Sequence, residues 1–142
     1  MRIARAHAVY FYGNDELNKI ELPSLLTVGT YLDVNQNQNL KSISMPALTT
    51  VSDYVNVYSN AELVSISMPT LLTVSNYISI SSNAELVSLV ANKLRSIGSS
   101  LTVSSNNDLA TVNFTALQNV TTYVTMSNNQ NLRYVRPRVR CA

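Results

Sequence analysis

Three residue types recur in this chain at one spacing, and each could do a different chemistry. Asparagine stands at Asn14, Asn37, Asn60, Asn83, Asn106 and Asn129, always 23 positions apart. A row of amides can bind a ligand, or it can turn inward and satisfy the backbone N–H and C=O groups of buried turns while bonding to itself. The second use is the expected one, because a buried turn leaves polar groups that must find partners. Tyrosine follows the same period at Tyr31, Tyr54, Tyr77 and Tyr123, with Ser100 in the one vacant place. Beside it run Asp33, Asn56, Ser79, Thr102, Thr125 and then Asn35, Tyr58, Ser81, Ser104, Ser127. Tyrosine among short polar side chains is paratope chemistry, with large contact area at low entropy cost and small groups that adapt. Tyr31, Tyr54, Tyr58, Tyr77, Tyr123, Asp33 and Asn56 are therefore the candidate binding residues. The competing use of these tyrosines is to cover a sheet corner and pack on one another.

Other chemistries have weaker support. Hydroxyl columns, Ser42, Ser65, Ser88, Thr111 and Thr27, Thr50, Thr73, Ser96, suggest an ice-binding or surface-adsorbing face, but Lys19, Tyr134 and Asn119 interrupt them. A neutral solvated face is the plainer reading. A carbohydrate-active enzyme would need two or more acids converging on one spot. Asp33 and Asp53 are 20 residues apart, and the column Glu16, Glu62, Glu85, Asp108 is expected at an exposed turn, where it supplies solubility. The single histidine, His7, and the single cysteine, Cys141, lie at opposite ends of the chain, so no disulfide within the chain, metal site, cofactor or catalytic residue is expected.

Composition sets the frame for these columns. Charged residues are 13% of the 142 positions, about half the usual quarter, while Ser, Thr and Asn fill 47. With 46% hydrophobic residues and a net charge of only +2, the composition argues against disorder. No apolar run approaches the ~18 residues that span a bilayer, so membrane insertion is not expected. The opening Met1-Arg2-Ile3-Ala4-Arg5-Ala6-His7 has no apolar stretch behind its charges, and no secretory leader is read from it. Residues 6 to 132 carry four basic residues against all eight acids, and Arg2, Arg5, Arg133, Arg136, Arg138 and Arg140 supply the rest. The tail Arg133 to Arg140 alternates basic and apolar residues. It reads as a last strand whose charges block edge-to-edge pairing, with nucleic acid as the less favoured partner.

The elements that carry the columns follow from the period. Apolar columns, Leu17 to Leu132, Ile20 to Val135, Leu25 to Leu117 and Val28 to Val120, repeat with the asparagines. In Tyr31-Leu32-Asp33-Val34-Asn35 polar and apolar side chains alternate, as in a half-buried strand. The inward pairs are Val9/Phe11, Leu32/Val34, Val55/Val57, Ile78/Ile80, Leu101/Val103 and Val124/Met126. A strand recurring in one direction must pair in parallel with its copies, and the rest of each period is the crossover. That remainder is short, Ser-rich and broken by Pro23, Pro46 and Pro69, so short strand or extended turn is expected there rather than helix. The prediction is an all-β, right-handed parallel β-helix, a single solenoid domain over residues 1–142, by the crossover rule. Its six coils lie near 8–30, 31–53, 54–76, 77–99, 100–122 and 123–142. Local irregularity is expected where Asn92 replaces proline and Ser100 replaces tyrosine.

The pattern Leu48-x-x-Val51-x-x-Tyr54-Val55-x-Val57-x-x-Asn60-x-x-Leu63-x-x-Ile66-x-x-Pro69 resembles the repeat of receptor L domains and related leucine-rich-repeat-like surface proteins. The resemblance implies a flattened β-helix that recognises protein or carbohydrate partners, usually at a cell surface. The expectation is thus a non-catalytic recognition or scaffold module that binds a protein or glycan through its tyrosine-bearing sheet. A homodimer is expected as well, through that face or through the first coil, where Val9-Tyr10-Phe11-Tyr12 stands near a strand edge.

Overall fold

The computed structural model describes residues 4–137. Each coil contributes three strands, where the sequence pattern showed clearly only one. The first sheet holds β1 (Arg5–Ala6), β4 (Thr27–Val28), β7 (Thr50–Val51), β10 (Thr73–Val74), β13 (Ser96–Ile97) and β16 (Asn119–Val120). The second holds β2 (Val9–Tyr12), β5 (Leu32–Asn35), β8 (Val55–Tyr58), β11 (Ile78–Ser81), β14 (Leu101–Ser104) and β17 (Val124–Ser127). The third holds β3 (Lys19–Glu21), β6 (Ser42–Ser44), β9 (Ser65–Ser67), β12 (Ser88–Val90), β15 (Thr111–Phe114) and β18 (Tyr134–Pro137). All pairs are parallel, and the three sheets stack as a β-solenoid of about six turns with no helix among the described residues. The solenoid starts earlier than the sequence columns suggest. Arg5 pairs with Thr27, one residue short of the period, so β1 already forms a rung of the first sheet.

The corners explain why certain columns never vary. In each coil the leucine three positions after the ladder asparagine donates its N–H back to that asparagine's carbonyl, as Leu40 does to Asn37 at 3.2 Å and Leu63 to Asn60 at 3.2 Å. A second turn closes the same way, Leu48 to Met45 and Leu71 to Met68. Between the turns Ile43, Ile66, Leu89 and Val112 point inward against Leu40, Leu63, Leu86 and Leu109, all essentially without solvent contact. Core size is balanced between coils. Phe114, the largest fully buried side chain, lies beside Ala91 on the column where other coils place Met45 and Met68. The expected irregularity near Asn92 and Ser100 does not occur, since β10, β13 and β16 keep the 23-residue register, as do β11, β14 and β17. The close approach needs Gly98, where a Cβ would stand 1.9 Å from the Ser75 carbonyl oxygen.

The asparagine column turns inward at the corner after the second sheet. Each side-chain oxygen accepts from the backbone N–H and the Nδ2 of the asparagine one coil earlier: Asn60 N and Nδ2 both reach Asn83 Oδ1 at 3.1 Å. Each Nδ2 also donates to a strand carbonyl of the preceding coil, Asn60 to Val34 and Asn83 to Val57, both at 3.0 Å. Asn37, Asn60, Asn83 and Asn106 are fully buried. The residue before each asparagine takes a left-handed conformation, Gln36 at φ 54°, Ser59, Ser82 and Ser105 at 56°, Asn128 at 54° and Gly13 at 63°. Such a conformation costs an L-residue of order 1–2 kcal/mol, and here it is held in every coil by the amide bonds that follow.

Replacing Asn83 by Ala should therefore lower stability by about 1–3 kcal/mol for each group left unpaired, namely the Asn60 N–H and the Val57 carbonyl. Asn14→Ala, at the exposed end of the ladder, should cost less. Urea midpoints of the two variants check this, and equal losses would contradict a load carried mainly by the buried amides.

Candidate functional site

On the second sheet the inward residues are apolar, and the outward places carry the candidate site. Tyr31, Tyr54 and Tyr77 each stand one residue ahead of a strand, so their rings meet along the axis. The Tyr31 and Tyr54 centroids are 5.2 Å apart at an interplanar angle of 7°, and Tyr54 and Tyr77 are 4.9 Å apart at 1°. This is the strand spacing of about 4.8 Å expressed in aromatic rings. Ser100, almost fully buried, ends the stack, and Tyr123 lies beyond it, 55% exposed. Tyr123 is thus not brought together with the other tyrosines.

Asp33 lies on β5 between two columns of aromatic and amide groups. In the strand register Tyr10, Asp33 and Asn56 are neighbours, and so are Tyr12, Asn35 and Tyr58. Asn35 Nδ2 donates to Asp33 Oδ1 at 2.6 Å, and Asn56 Nδ2 approaches Asp33 Oδ2 at 3.4 Å. Flanked by two tyrosines, Asn35 is only 1% exposed although it faces outward, and its Oδ1 has no hydrogen-bond partner among the described residues. The second carboxylate near the stack, Asp53, sits at the corner before Tyr54 and accepts from Asn76 Nδ2 at 3.0 Å. Asp33 and Asp53 hold separate amide partners.

Burial and these carboxylates act together on the phenols. Tyr54 is pushed above the ordinary phenol value by burial first and then by the charge of Asp33, with Tyr77, Tyr31 and Asp53 adding to it. Tyr58 is raised by burial, then Asp33, Tyr10 and Tyr12. Tyr77 is raised by burial, then Asp33 and Asp53. The phenols therefore stay neutral hydroxyl donors throughout the physiological range.

Tyr31, Tyr54, Tyr58, Tyr77, Asp33 and Asn56 thus share one patch. Tyr10, Tyr12 and Asn35 belong to it as well, and reading the outward columns back to the first coil would have found them. Toward the other end the same face carries Ser79, Ser81, Thr102, Ser104, Thr125 and Ser127, with Tyr123 at the last coil. The hydroxyl columns do not form one array, because Ser42, Ser65, Ser88 and Thr111 are on the third sheet and Thr27, Thr50, Thr73 and Ser96 on the first. Of the turn acids, Glu62 pairs with Lys41 at 3.1 Å and Asp108 accepts from Asn131. No three His, Cys, Asp or Glu side chains come together among the described residues. The start of the basic tail forms β18, the edge of the third sheet, where the Arg136 guanidinium lies 4.6 Å from the Tyr134 ring centroid. Arg138, Arg140 and Cys141 lie outside the described residues.

The raised phenols give a pH dependence with a definite sign. The unfolded phenol titrates near 10, and the folded ones above it, so their contribution to stability is complete below about pH 10 and is lost as the pH climbs through the folded values. Phenolate absorbance should show late-titrating tyrosines in the native chain. Asp33→Asn should make them titrate earlier, and an unchanged curve would show that Asp33 does not act on them.

Compared with protein-family models, curated proteins and solved structures, the chain returns no match.

Proposed function

We propose that this chain is a non-catalytic recognition module that docks a protein ligand across the outer face of its second sheet. The observation that supports it most is the placing of six of the eight tyrosines, with Asp33, Asn35 and Asn56, in the first four coils of one face. The rest of that face is small and hydroxylated except for Tyr123. Extended solenoid faces are commonly binding surfaces, and the coil's resemblance to receptor L domains points the same way. Between a protein and a glycan, the ring geometry favours the protein. A sugar stacks on a free aromatic face, and here Tyr54 spends both faces on its neighbours while Tyr31 and Tyr77 spend one each. Apart from one outer ring face each on Tyr31 and Tyr77, what remains at the surface is ring edges, hydroxyls and amides, which suit a polypeptide.

The test is binding of the full chain to arrays of peptides and glycans, beside a Tyr54→Ser/Tyr77→Ser variant and a Ser65→Ala control on the third sheet. Peptides held by the native chain and the control, and lost by the tyrosine variant with its melting transition intact, are the expected result. Binding confined to glycans would make the ligand a sugar, and binding unaffected by the tyrosine changes would overturn the reading.

We also infer self-association, through the first coil or through the tyrosine face. Tyr10 and Tyr12 are 57% and 52% exposed on β2, the terminal strand of the second sheet, and an apolar cavity of about 220 Å³ opens there between Val9, Phe11, Leu22 and Leu25. Sedimentation at micromolar concentration should give a dimer mass. Loss of the dimer on replacing Phe11 and Tyr12 by polar residues would assign it to the first coil, and its persistence to the tyrosine face. A strictly monomeric mass would refute it.

A further inference from the structure

The recognition reading leaves open what chemistry the patch selects, and the charge around Asp33 answers that. An ionised carboxylate offers about four lone-pair sites. Asp33 has two amide donors, one of them at 3.4 Å, and it takes part in no ion pair among the described residues, where the pairs are Lys19–Glu21 and Lys41–Glu62. The outward columns of the second sheet, read over all six coils, contain no Lys, Arg or His. Beside the carboxylate the buried Asn35 Oδ1 adds a second acceptor with no donor. Negative potential therefore accumulates at one point of the face, with no ion pair to neutralise it among the described residues.

The same point carries an open aromatic surface. Ala8 takes the place next to Tyr31 in the tyrosine column, so Tyr31 has a ring against only one of its faces. Its other face looks over Ala8, with Tyr10 and Asp33 two positions further along the neighbouring strands. A flat cation can lie on such a face while its N–H groups reach the carboxylate.

We propose that Ala8, Tyr10, Tyr31 and Asp33 form a subsite for a guanidinium group, the side chain of an arginine on the docked protein. The inference rests on the recognition reading and specifies its ligand. A planar guanidinium matches both surfaces at once, the ring by stacking and the carboxylate by paired hydrogen bonds, which a compact ammonium cannot do.

The experiment follows tyrosine ring resonances of the full chain while N-acetyl-arginine amide, N-acetyl-lysine amide or the neutral isostere N-acetyl-citrulline amide is added. The arginine probe should bind in the millimolar range, with citrulline weaker by roughly tenfold. Asp33→Asn should reduce arginine to the citrulline level. Tyr31→Leu, which leaves the carboxylate in place, should weaken arginine by roughly threefold or more. Equal binding of arginine and citrulline, indifference to Asp33→Asn, or no binding of arginine would overturn the subsite, and lysine binding as well as arginine would overturn its assignment to guanidinium. If these probes fail while array peptides still depend on Tyr54 and Tyr77, the subsite falls and the recognition module stands. Loss of both removes both.

Discussion

The fold depends on where a buried corner finds its hydrogen bonds. A coil of 23 residues must turn while its backbone amides face inward, and water cannot reach them there. One side-chain amide per coil resolves this, because Asn carries an acceptor and two donors and so can bond forward to the next coil, back to the previous strand and to its own turn. Asn106 shows the full set: its backbone N–H donates to Asn129 Oδ1, its Nδ2 to the Ile80 and Ser104 carbonyls, and its Oδ1 accepts from the Asn83 N–H. A residue with only a donor or only an acceptor would leave one coil unsatisfied. The ladder also fixes the left-handed residue ahead of it, which is why serine or glutamine is held where glycine would be at ease.

Stacking at the strand spacing gives every column a second consequence. Whatever stands on an outward column is repeated at about 4.8 Å, a distance that suits aromatic rings in parallel. A tyrosine column therefore becomes a stack without further design, and packing alone accounts for Tyr54. It does not account for Asp33, which places a charge beside the stack, nor for Asn35, a polar group buried on an outer face with one atom unpaired. Buried polar atoms without partners are rare enough in folded proteins that each needs a cause.

The repeat was legible because it is carried by residues that have no substitutes: the asparagine at the corner, the leucine that closes its turn, the aliphatic pairs of the second sheet. Two of the three sheets were legible only as short strand or extended turn. Strands of two or three residues, such as Thr50–Val51 or Ser42–Ser44, are too short to display a period of two, and their proline and serine neighbours look like turns. Asn92 and Ser100 looked like breaks, yet the register passes through them, because the amide ladder and the apolar columns beside them continue. Arg5–Ala6 was hidden for the opposite reason, a rung one residue out of period. Tyr10 and Tyr12 were read as an exposed edge, although their columns lead directly to Asp33 and Asn35.

A solenoid with one backbone repeated six times cannot mark a binding site by its fold. Every coil offers the same corner, the same strand and the same width. Selectivity has to come from departures from the repeat, and only outward columns can depart without breaking the ladder or the core. On the second sheet the departures are one-sided: Tyr10, Asp33 and Asn56 give way to Ser79, Thr102 and Thr125, and Tyr12, Asn35 and Tyr58 give way to three serines. The inward residues of the middle coils show no such change, since Leu32, Val55, Ile78 and Leu101 are all buried aliphatics. A gradient on the outer face over an aliphatic inner face puts the departures from the repeat mainly at the end where Asp33 lies, and leaves the other end largely hydroxylated up to Tyr123.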